Sequence, residues 1–494
     1  ARVGTRPWRT PRVPPGRRRT MTTVIPENSA KGDDVKAFDD GSTSKGAGVA
    51  RDDGDPSTSK RALRRNSSVA SMKRGLQQPA YPLKSFSIAL LVLTVLLILF
   101  YFLFMDYSSD EFGADMAENY TWFLHVSIMI FIGFGYLMTF LRRFTLGAVA
   151  LNFIASVAVM LEAMLILGAM WQSEHADFSQ GLRFIKLDMT LLASGLFAAA
   201  VGMITFGVVI GKVGPSQLLF ILVLQVPIWA INLILIFEHQ FVPMGAEDAG
   251  GAITIHVFGA YYGLAAAWMV YRKREELGGD HEKNSASHES NLTSLVGTVF
   301  LWIFWPSFNA FLTGPLRNVA VMNTVISISG STMATFVLSP FLTPGGKIDM
   351  SHVQNATLAG GVSMGAIPHL AIGPGAALLV GFFGGCLSCV GFTHIGPFLE
   401  ARISLRDTCG VHSLHGMPGV YAGVVGIITL AAMGPPGAAV AELLTLLVSL
   451  VVAIGGGLAV GAASMFIDAE PSTEKRAILA FEDASYFDSV PPEP

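Results

Sequence analysis

The sequence is dominated by long apolar segments. Beyond residue 84, twelve runs of about 20 mostly apolar residues are each long enough to cross a bilayer. The run at 350–370 is the least apolar, and its polar side chains must face the protein interior. With 51% apolar and 14% charged residues, the sequence predicts an all-α polytopic membrane protein. The predicted spans are 85–105, 120–141, 146–171, 189–211, 216–237, 248–271, 292–313, 317–340, 350–370, 373–394, 407–432 and 436–466.

Composition divides the chain into three parts. Residues 1–84 are basic, polar and rich in Pro, Gly and Ser, which predicts a disordered, cytoplasmic N-terminal tail. Residues 85–466 would form the transmembrane channel domain, and 467–494 a cytoplasmic C-terminal tail. The arginine-rich stretch from Arg2 to Arg19 is compatible with a transit-like leader, an upstream translated stretch or a plain tail, and these stay open.

Charged residues predict the orientation. With the N-terminus inside, ten Lys and Arg residues fall in cytoplasmic loops and three (Arg183, Lys186, Arg317) in outer loops, as the positive-inside bias requires. Asn119 then begins an Asn-Tyr-Thr sequon on the outer face, a candidate N-glycosylation site. The cytoplasmic ten are Arg142, Arg143, Lys212, Arg272, Lys273, Arg274, Lys283, Lys347, Arg402 and Arg406.

An Asp-x7-His motif occurs twice, from Asp248 to His256 and from Asp407 to His415. A histidine near the middle of a membrane-spanning helix is costly to place there, which makes it a functional candidate. Spans two to six and seven to eleven form two five-helix units, and an odd number of crossings inverts the second unit. Eight residues at about 1.5 Å each place either histidine roughly 12 Å below its aspartate, near the membrane centre. The sequence therefore predicts a 5+5 inverted repeat in which the two imidazoles converge.

The chemistry of these residues favours transport. A neutral imidazole pair can hydrogen-bond a small polar solute or exchange its proton, although each histidine could simply bond a neighbouring helix. We expect Asp248 and Asp407 to cap helix N-termini and shape the vestibules, with cation attraction secondary. His412, one turn before His415, could extend the polar strip or make an ordinary helix–helix bond.

Other classes of function find little support in the sequence. Cys386 and Cys389 have metal-like spacing, but without a second pair or a histidine motif, helix packing is the better interpretation. We therefore predict no metal and no cofactor. There is no phosphate loop or nucleophile triad, so we predict no enzyme, and the charge balance gives no indication of nucleic acid binding.

Several long motifs resemble the Rh glycoproteins of the ammonium transporter/Rh superfamily. The resemblance covers about residues 84–465, and the tails lie outside it. The motifs are D-A-G-G-A-I-T-I-H-V-F-G-A-Y-Y-G-L-A (248–265), W-P-S-F-N (305–309), K-I-D-M-S-H-V-Q-N-A-T-L-A-G-G (347–361), D-T-C-G-V-H-S-L-H-G-M-P-G (407–419), G-F-G-Y-L-M-T-F-L (133–141) and G-K-V-G-P-S-Q-L-L (211–219).

The resemblance implies a homotrimer with one hydrophobic pore per subunit and the ammonium transporter/Rh fold. Twin pore histidines would be His256 and His415, and a phenylalanine gate would be formed by Phe197 and Phe308. Asp248 and Asp407 would match the structurally important acidic pair.

The resemblance also implies that Asn309 and Asp349 flank the lumen, and that the host is the plasma membrane.

At one position this sequence differs from the ammonium transporter branch of the superfamily. Ile236 stands where the ammonium transporter branch has a tryptophan, which weakens an outer cation–π site. We therefore expect passage of neutral ammonia, with carbon dioxide as a further candidate, through a lipid-embedded channel. An electrogenic ammonium transporter and a non-conducting membrane scaffold or sensor are the alternatives.

Overall fold

The computed structural model describes residues 81, 83–109, 117–173, 181–238, 242, 246–467 and 472–488. Most of the predicted N-terminal tail lies outside these residues. Within them the chain is almost entirely helical, as predicted. One exception is a short parallel strand pair, in which β1 (Met105–Tyr107) lies beside β2 (Ile185–Leu187).

Twelve helices or helical segments run through the bundle in the described part of the chain. Their backbone groups bond within each helix, as a lipid environment demands. They are α1 (Leu83–Phe104), α2 (Ala117–Ile128), α3 (Thr145–Gln172), α4 (Met189–Val209), α5 (Pro215–Leu233), α6 (Phe258–Tyr271), α7 (His288–Ala310), α8 (Arg317–Leu342), α9 (Met350–Asn355), α10 (Pro374–Val390), α11 (Met417–Met433) and α12 (Ala438–Ser464). A further short helix, α13 (Thr473–Leu479), follows them.

Five π-helical turns interrupt or extend these helices in the described residues. Met129–Phe134 and Gly391–Ile395 prolong α2 and α10, Ile234–Glu238 prolongs α5, and Ala252–Val257 and His412–Gly416 lead into α6 and α11. Each half of the predicted repeat therefore carries such a turn at the end of its fourth helix and at the start of its fifth. This correspondence is what an internal repeat predicts.

The ninth segment is short and broken. Helix α9 passes through a 3-10 turn at Ala356–Leu358 into a second helical piece at Ala359–Met364. The polar side chains that made this span the least apolar are all buried, as expected: His352, Gln354, Asn355 and Thr357. The other eleven helices lie in stretches with the length and hydropathy to cross a membrane, α7 and α8 forming one kinked stretch.

The two halves run in opposite directions. Arg406, just before α11, donates to the carbonyl of Tyr271 at the end of α6. A Cβ on Gly419 in α11 would lie 2.8 Å from the carbonyl oxygen of Ala252, just before α6. Helices α6 and α11 thus begin at opposite ends of the bundle, called here the Asp248 end and the Asp407 end.

The C-terminal segment, residues 472–488, packs against the Asp407 end. Phe481 is fully buried and its N–H donates to Gly211 O at 2.7 Å. Glu482 pairs with Arg143 at 2.6 Å and with Lys283 at 3.1 Å. Asp483 accepts the N–H groups of Thr145, Leu146 and Gly147, and so caps the start of α3.

Candidate functional site

The two predicted histidines meet at the centre of the bundle. The Nδ1 atoms of His256 and His415 are 3.0 Å apart, and the rings lie 7° from parallel with centroids 5.1 Å apart. Both residues are buried, with exposed fractions of 1% and 3%. A bond between two Nδ1 atoms needs one donor and one acceptor, so exactly one proton is shared by that bond when both rings are neutral.

Both histidines stand in π-helical turns whose first N–H groups are bound by an aspartate. Asp248 accepts from Ile253 N at 3.0 Å, from Thr254 N at 2.7 Å and from Thr254 Oγ1 at 2.7 Å. These donors would otherwise be unpaired at a helix start.

Asp407 does the same in the second half. It accepts from Val411 N at 3.0 Å and from His412 N at 2.8 Å. Gly251 and Gly410 adopt the left-handed conformation in both copies, with φ of 66° and 69°. The repeated unit is therefore Asp-x2-Gly-x4-His, and the glycine is a sequence signal that the Asp-x7-His pattern leaves out.

Aromatic rings close the Asp248 side of the histidine pair. The rings of Phe197 and Phe308 meet edge to face with centroids 4.9 Å apart, and Phe308 lies 6.0 Å from His256. Phe311 also packs on Phe197, at 5.5 Å. Phe197 and Phe308 are 5% and 1% exposed, so this side of the pair is occupied by packed carbon.

Two further rings, which the sequence reasoning missed, sandwich the histidines. Trp305 stacks on His256 at 5.5 Å and 19°, and Phe134 stacks on His415 at 6.0 Å and 23°. Both belong to motifs that carried the family resemblance, W-P-S-F-N and G-F-G-Y. Their position inside those motifs was the available signal.

A cavity of about 240 Å³ leads from the Asp407 end to His415. Its walls mix apolar and polar side chains, including Phe134, Ser351, Gln354, Asn355 and Asp407. Three of the polar members, Ser351, Gln354 and Asn355, come from the broken segment α9. The interruption of that helix thus places hydrogen-bonding groups beside one end of the histidine pair.

The remaining predicted site residues lie around this core. Asn309 is fully buried beside Gly250 and donates to Thr324 Oγ1 and Gly361 O. Asp349 caps α9 through Ser351 N and is not among the residues that line the cavity.

His412 packs edge to face on Tyr261 at 5.9 Å and likewise does not line the cavity. Ile236 is buried beside Val242 and Ala441. The side chain of Asn119 lies outside the described residues.

The charges at the two ends differ. Near Asp407, Lys212 donates from Nζ to Arg406 O at 2.9 Å. Burial lowers the pKa of Lys212 to about 8 and raises the pKa of Asp407, which the N–H groups of its cap and the lysine oppose. The charge of Lys212 therefore acts on this carboxylate, whereas the Arg406 guanidinium donates to the carbonyls of Tyr271 and Arg274.

Asp248 instead has acidic neighbours. Burial raises the pKa of Asp248 to about 7 against the opposing pull of its N–H bonds. The fully buried Glu442 of α12 accepts from Glu247 N at 2.9 Å, and Glu247 lies 3.3 Å from His369. Sequence reasoning missed Glu442, although a single carboxyl within an apolar run is a recognisable signal.

Helices inverted in two halves around a buried, polar centre define a polytopic membrane transport protein. Residues 88–469 match the Ammonium Transporter Family, and the chain belongs to that family. It is an integral membrane protein of a family of transporters and channels, and not of enzymes. The Rh branch is indicated by the relatives that follow.

The chain is similar to several Rh-type proteins. It is 40% identical over 329 residues to "Ammonium transporter Rh type C" of Rattus norvegicus, covering 66% of this chain and 64% of the relative. It is 36% identical over 356 residues to "Ammonium transporter Rh type B" of Danio rerio, covering 69% and 75%. The match therefore spans less than two thirds of the length of the rat relative.

Solved structures agree with this assignment. A structure described as "Nitrosomonas europaea Rh50 and mechanism of conduction by Rhesus protein family of channels" is 30% identical, with a TM-score of 0.66 and coverage of 76% of this chain and 93% of that one. Saccharomyces cerevisiae Mep2 is 17% identical, with a TM-score of 0.57 and coverage of 72% and 92%, a likeness of fold alone.

Proposed function

We propose that this chain is a channel that conducts ammonia with no net charge movement. Ammonium would be recruited at the Asp248 end and would lose its proton at the Phe197/Phe308 contact. Ammonia would then pass the His256/His415 pair and regain a proton in the cavity at the Asp407 end. The observation that carries the proposal is the buried, mutually bonded histidine pair between an aromatic closure and a polar cavity.

The packing around the histidines disfavours ions. An ammonium ion would have to leave its water among Phe197, Phe308 and Trp305, which offer few groups to replace it, and an unpaired charge in such surroundings costs many kcal/mol. A neutral ammonia molecule carries a much smaller desolvation cost. The same burial therefore separates ammonia from ammonium, and also from sodium or potassium.

The histidine pair suits a solute that is both donor and acceptor. The Nδ1–Nδ1 bond fixes opposite tautomers, so one ring presents an Nε2 acceptor and the other an Nε2–H donor. His256 Nε2 is buried and has no hydrogen-bond partner among the described residues. Ammonia can accept through its lone pair and donate through its N–H bonds, and so can satisfy both rings in turn.

The Asp248 end supports cation recruitment. The partly exposed Glu247 adds a carboxylate there, and carboxylates attract ammonium from solution. The names of the Rh-type relatives also point to ammonium as the substrate. We include in this proposal a homotrimeric assembly, the plasma membrane as host, cytoplasmic termini and glycosylation at Asn119. Carbon dioxide, an apolar gas, is a second solute compatible with the same dry passage.

One observation favours an electrogenic variant of this function. A proton shared between His256 and His415 could also be relayed along them, in which case ammonia and a proton would travel together. That mechanism predicts current, whereas the neutral one predicts none. A third possibility, a scaffold or sensor that does not conduct, predicts neither flux nor current.

Reconstitution in liposomes distinguishes these cases. Internal pH is followed by stopped flow after an ammonium jump, with the membrane potential recorded in parallel, and then after a carbon dioxide jump. We expect faster alkalinisation than in protein-free vesicles and no current. Current that tracks the ammonium gradient would overturn the neutral mechanism, and folded protein without ammonia flux would overturn the proposed function.

A further inference from the structure

Helix α1 stands apart from the bundle between two points of attachment. Leu97 is the one buried residue of the helix, and most of its other side chains are exposed. Near one end Ser85 Oγ lies 3.2 Å from Ser216 Oγ, and near the other Tyr101 Oη donates to Leu161 O at 2.9 Å. The helix is held at both ends and loosely packed between them.

A groove of about 580 Å³ lies between α1 and α3. On the α3 side it is lined by Ile154, Val157, Ala158 and Leu161. Leucine and isoleucine side chains form nearly half of the whole wall. The hydroxyl of Thr94 is already bonded to Leu90 O at 2.7 Å. The walls thus favour an apolar ligand, because a polar solute would lose its hydrogen bonds to water there.

The depth of the groove matches one leaflet of a bilayer. Its lining on α1 runs from Leu90 to Phe102, a rise of about 18 Å at 1.5 Å per residue. Half of a hydrocarbon core of about 30 Å is about 15 Å. A single acyl chain lying along α1 would therefore reach from the rim of the groove to the middle of the membrane.

Among the described side chains, the rim at the Asp248 end carries Arg183 and Lys186 against one carboxylate, Asp106. Arg183 lines the groove and donates from Nε to Phe102 O at 3.2 Å. That bond leaves the other guanidinium donors of this exposed side chain available to a second acceptor. Lys186 lies 4.0 Å from Asp106, a loose pair between half-exposed side chains. Two cations beside one carboxylate complement a phosphate group.

We infer that this groove binds one phospholipid molecule from the leaflet at the Asp248 end. One acyl chain fills the space between α1 and α3, and the phosphate is held by Arg183 with help from Lys186. The lipid replaces the packing that α1 lacks and so fastens this helix to the bundle. The site is independent of the proposed conduction path.

Lipid binding to matched variants tests the inference. The full-length protein is purified in detergent, stripped of lipid and titrated with phosphatidylglycerol, and bound molecules are counted by native mass spectrometry. Val157→Trp fills the groove. Val95→Trp places the same ring on the exposed face of α1 at similar depth, outside the groove. Arg183→Gln removes the proposed phosphate contact, and Arg402→Gln is its control on an exposed arginine far along the chain.

The expected result is one tightly bound lipid in the wild type and in both controls. Val157→Trp and Arg183→Gln should each weaken it about tenfold, as the loss of one good charged contact or of the chain site predicts. Equal binding by all variants would overturn the inference. Loss in Val157→Trp alone would overturn the phosphate assignment in favour of a lipid such as a sterol. A photoreactive group at residue 157 that cross-links to a second copy of the chain would show that protein fills the groove.

Discussion

The two ends of the histidine pair are built on one motif but are finished differently. At each end an aspartate binds the first N–H groups of a π-helical turn, and a left-handed glycine precedes the turn. The Asp248 end is then closed by Phe197 and Phe308 and surrounded by acidic groups. The Asp407 end opens into a cavity, and the charge of Lys212 acts on its carboxylate. The repeat thus supplies the histidines, and the sequence outside the motif gives each end its own chemistry.

The difference between the two ends shows which properties a repeated motif determines and which it does not. Backbone capping needs only an acceptor at the start of the helix, so both aspartates meet the same requirement. The charge of Asp407 is partly balanced by Lys212, whereas the groups that act on Asp248 are its N–H and hydroxyl donors. We expect substitutions of the two aspartates to have similar effects on the backbone and different effects on charge.

The largest predicted effect comes from truncating one ring at each end. Phe308→Ala and Phe134→Ala remove equally buried rings, and each should cost about 3–5 kcal/mol in the free energy of unfolding. Only Phe308→Ala removes part of the aromatic closure, so only this variant should admit ions. Current in liposomes under an ammonium gradient measures the difference. Equal currents from both variants would contradict the assignment of the Asp248 end as closed and the Asp407 end as open.

Replacing each aspartate by asparagine should separate capping from charge. Asparagine keeps one oxygen as acceptor, so Asp248→Asn should cost about 1 kcal/mol or less. Asp407→Asn should cost about 2 kcal/mol more, because the buried Lys212 loses the attraction of the Asp407 charge. Thermal unfolding of the purified variants in detergent gives the order. A larger loss for Asp248→Asn would contradict the charge assignment.

The lysine itself provides a finer test at the Asp407 end. Lys212→Met should cost about 1–2 kcal/mol alone, since it removes the bond to Arg406 O and the attraction to Asp407. Combined with Asp407→Asn it should cost less than the sum of the single effects, because neither charge is then left unpaired. Additive costs in the double-mutant cycle would show that the two groups are independent.

The smallest predicted effect concerns the docked C-terminal segment at the same end. Burial raises the pKa of Glu482, but the hydrogen bonds and charges of Arg143 and Lys283 outweigh it and leave the pKa below its ordinary 4.5. A lowered carboxyl pKa stabilises docking above the unfolded value, and that stabilisation is lost as pH falls through the folded pKa.

Hydrogen exchange at the Phe481 amide, corrected for its intrinsic pH dependence, reports this docking. Protection should be constant near neutral pH and should fall below pH 4.5. Glu482→Gln should weaken protection by about 1–2 kcal/mol at neutral pH, whereas Glu474→Gln, an exposed residue of the same segment, should not. Identical protection in both variants would show that the ion pairs do not hold the segment.

Much of the fold follows from sequence patterns, because a lipid bilayer requires long apolar helices whose polar groups bond within the protein. Apolar runs of bilayer length located the spans, and the odd number of helices between the two motifs required inversion. The least apolar span proved to be the broken one, because its polar side chains need internal partners.

The π-helical turns could not be predicted, since a single extra residue per turn leaves no trace in a hydropathy pattern. They matter for the site, because they determine how the histidines face each other. An ideal α-helix would offset Asp248 and His256 by about 80° over eight residues.

Long-range packing limited prediction in a similar way. The sequence separates Trp305 from His256 and Phe134 from His415, and only the helix arrangement brings those rings together. The docking of Phe481 on Gly211 was equally hidden, because the sequence alone predicts only a cytoplasmic tail at residues 467–494. The predicted roles of His256, His415, Phe197, Phe308 and the aspartates remain predictions that the geometry supports.

The central claim is that the buried histidine pair passes neutral ammonia. The most direct test compares the wild type with the His256→Ala/His415→Ala variant in the same liposomes, following internal pH and current after an ammonium jump. We predict rapid alkalinisation without current for the wild type. For a folded double variant we predict a loss of at least about tenfold in that rate, or a current that the wild type lacks, since the pair both bonds the solute and excludes charge. Unchanged neutral flux in the double variant would contradict the claim.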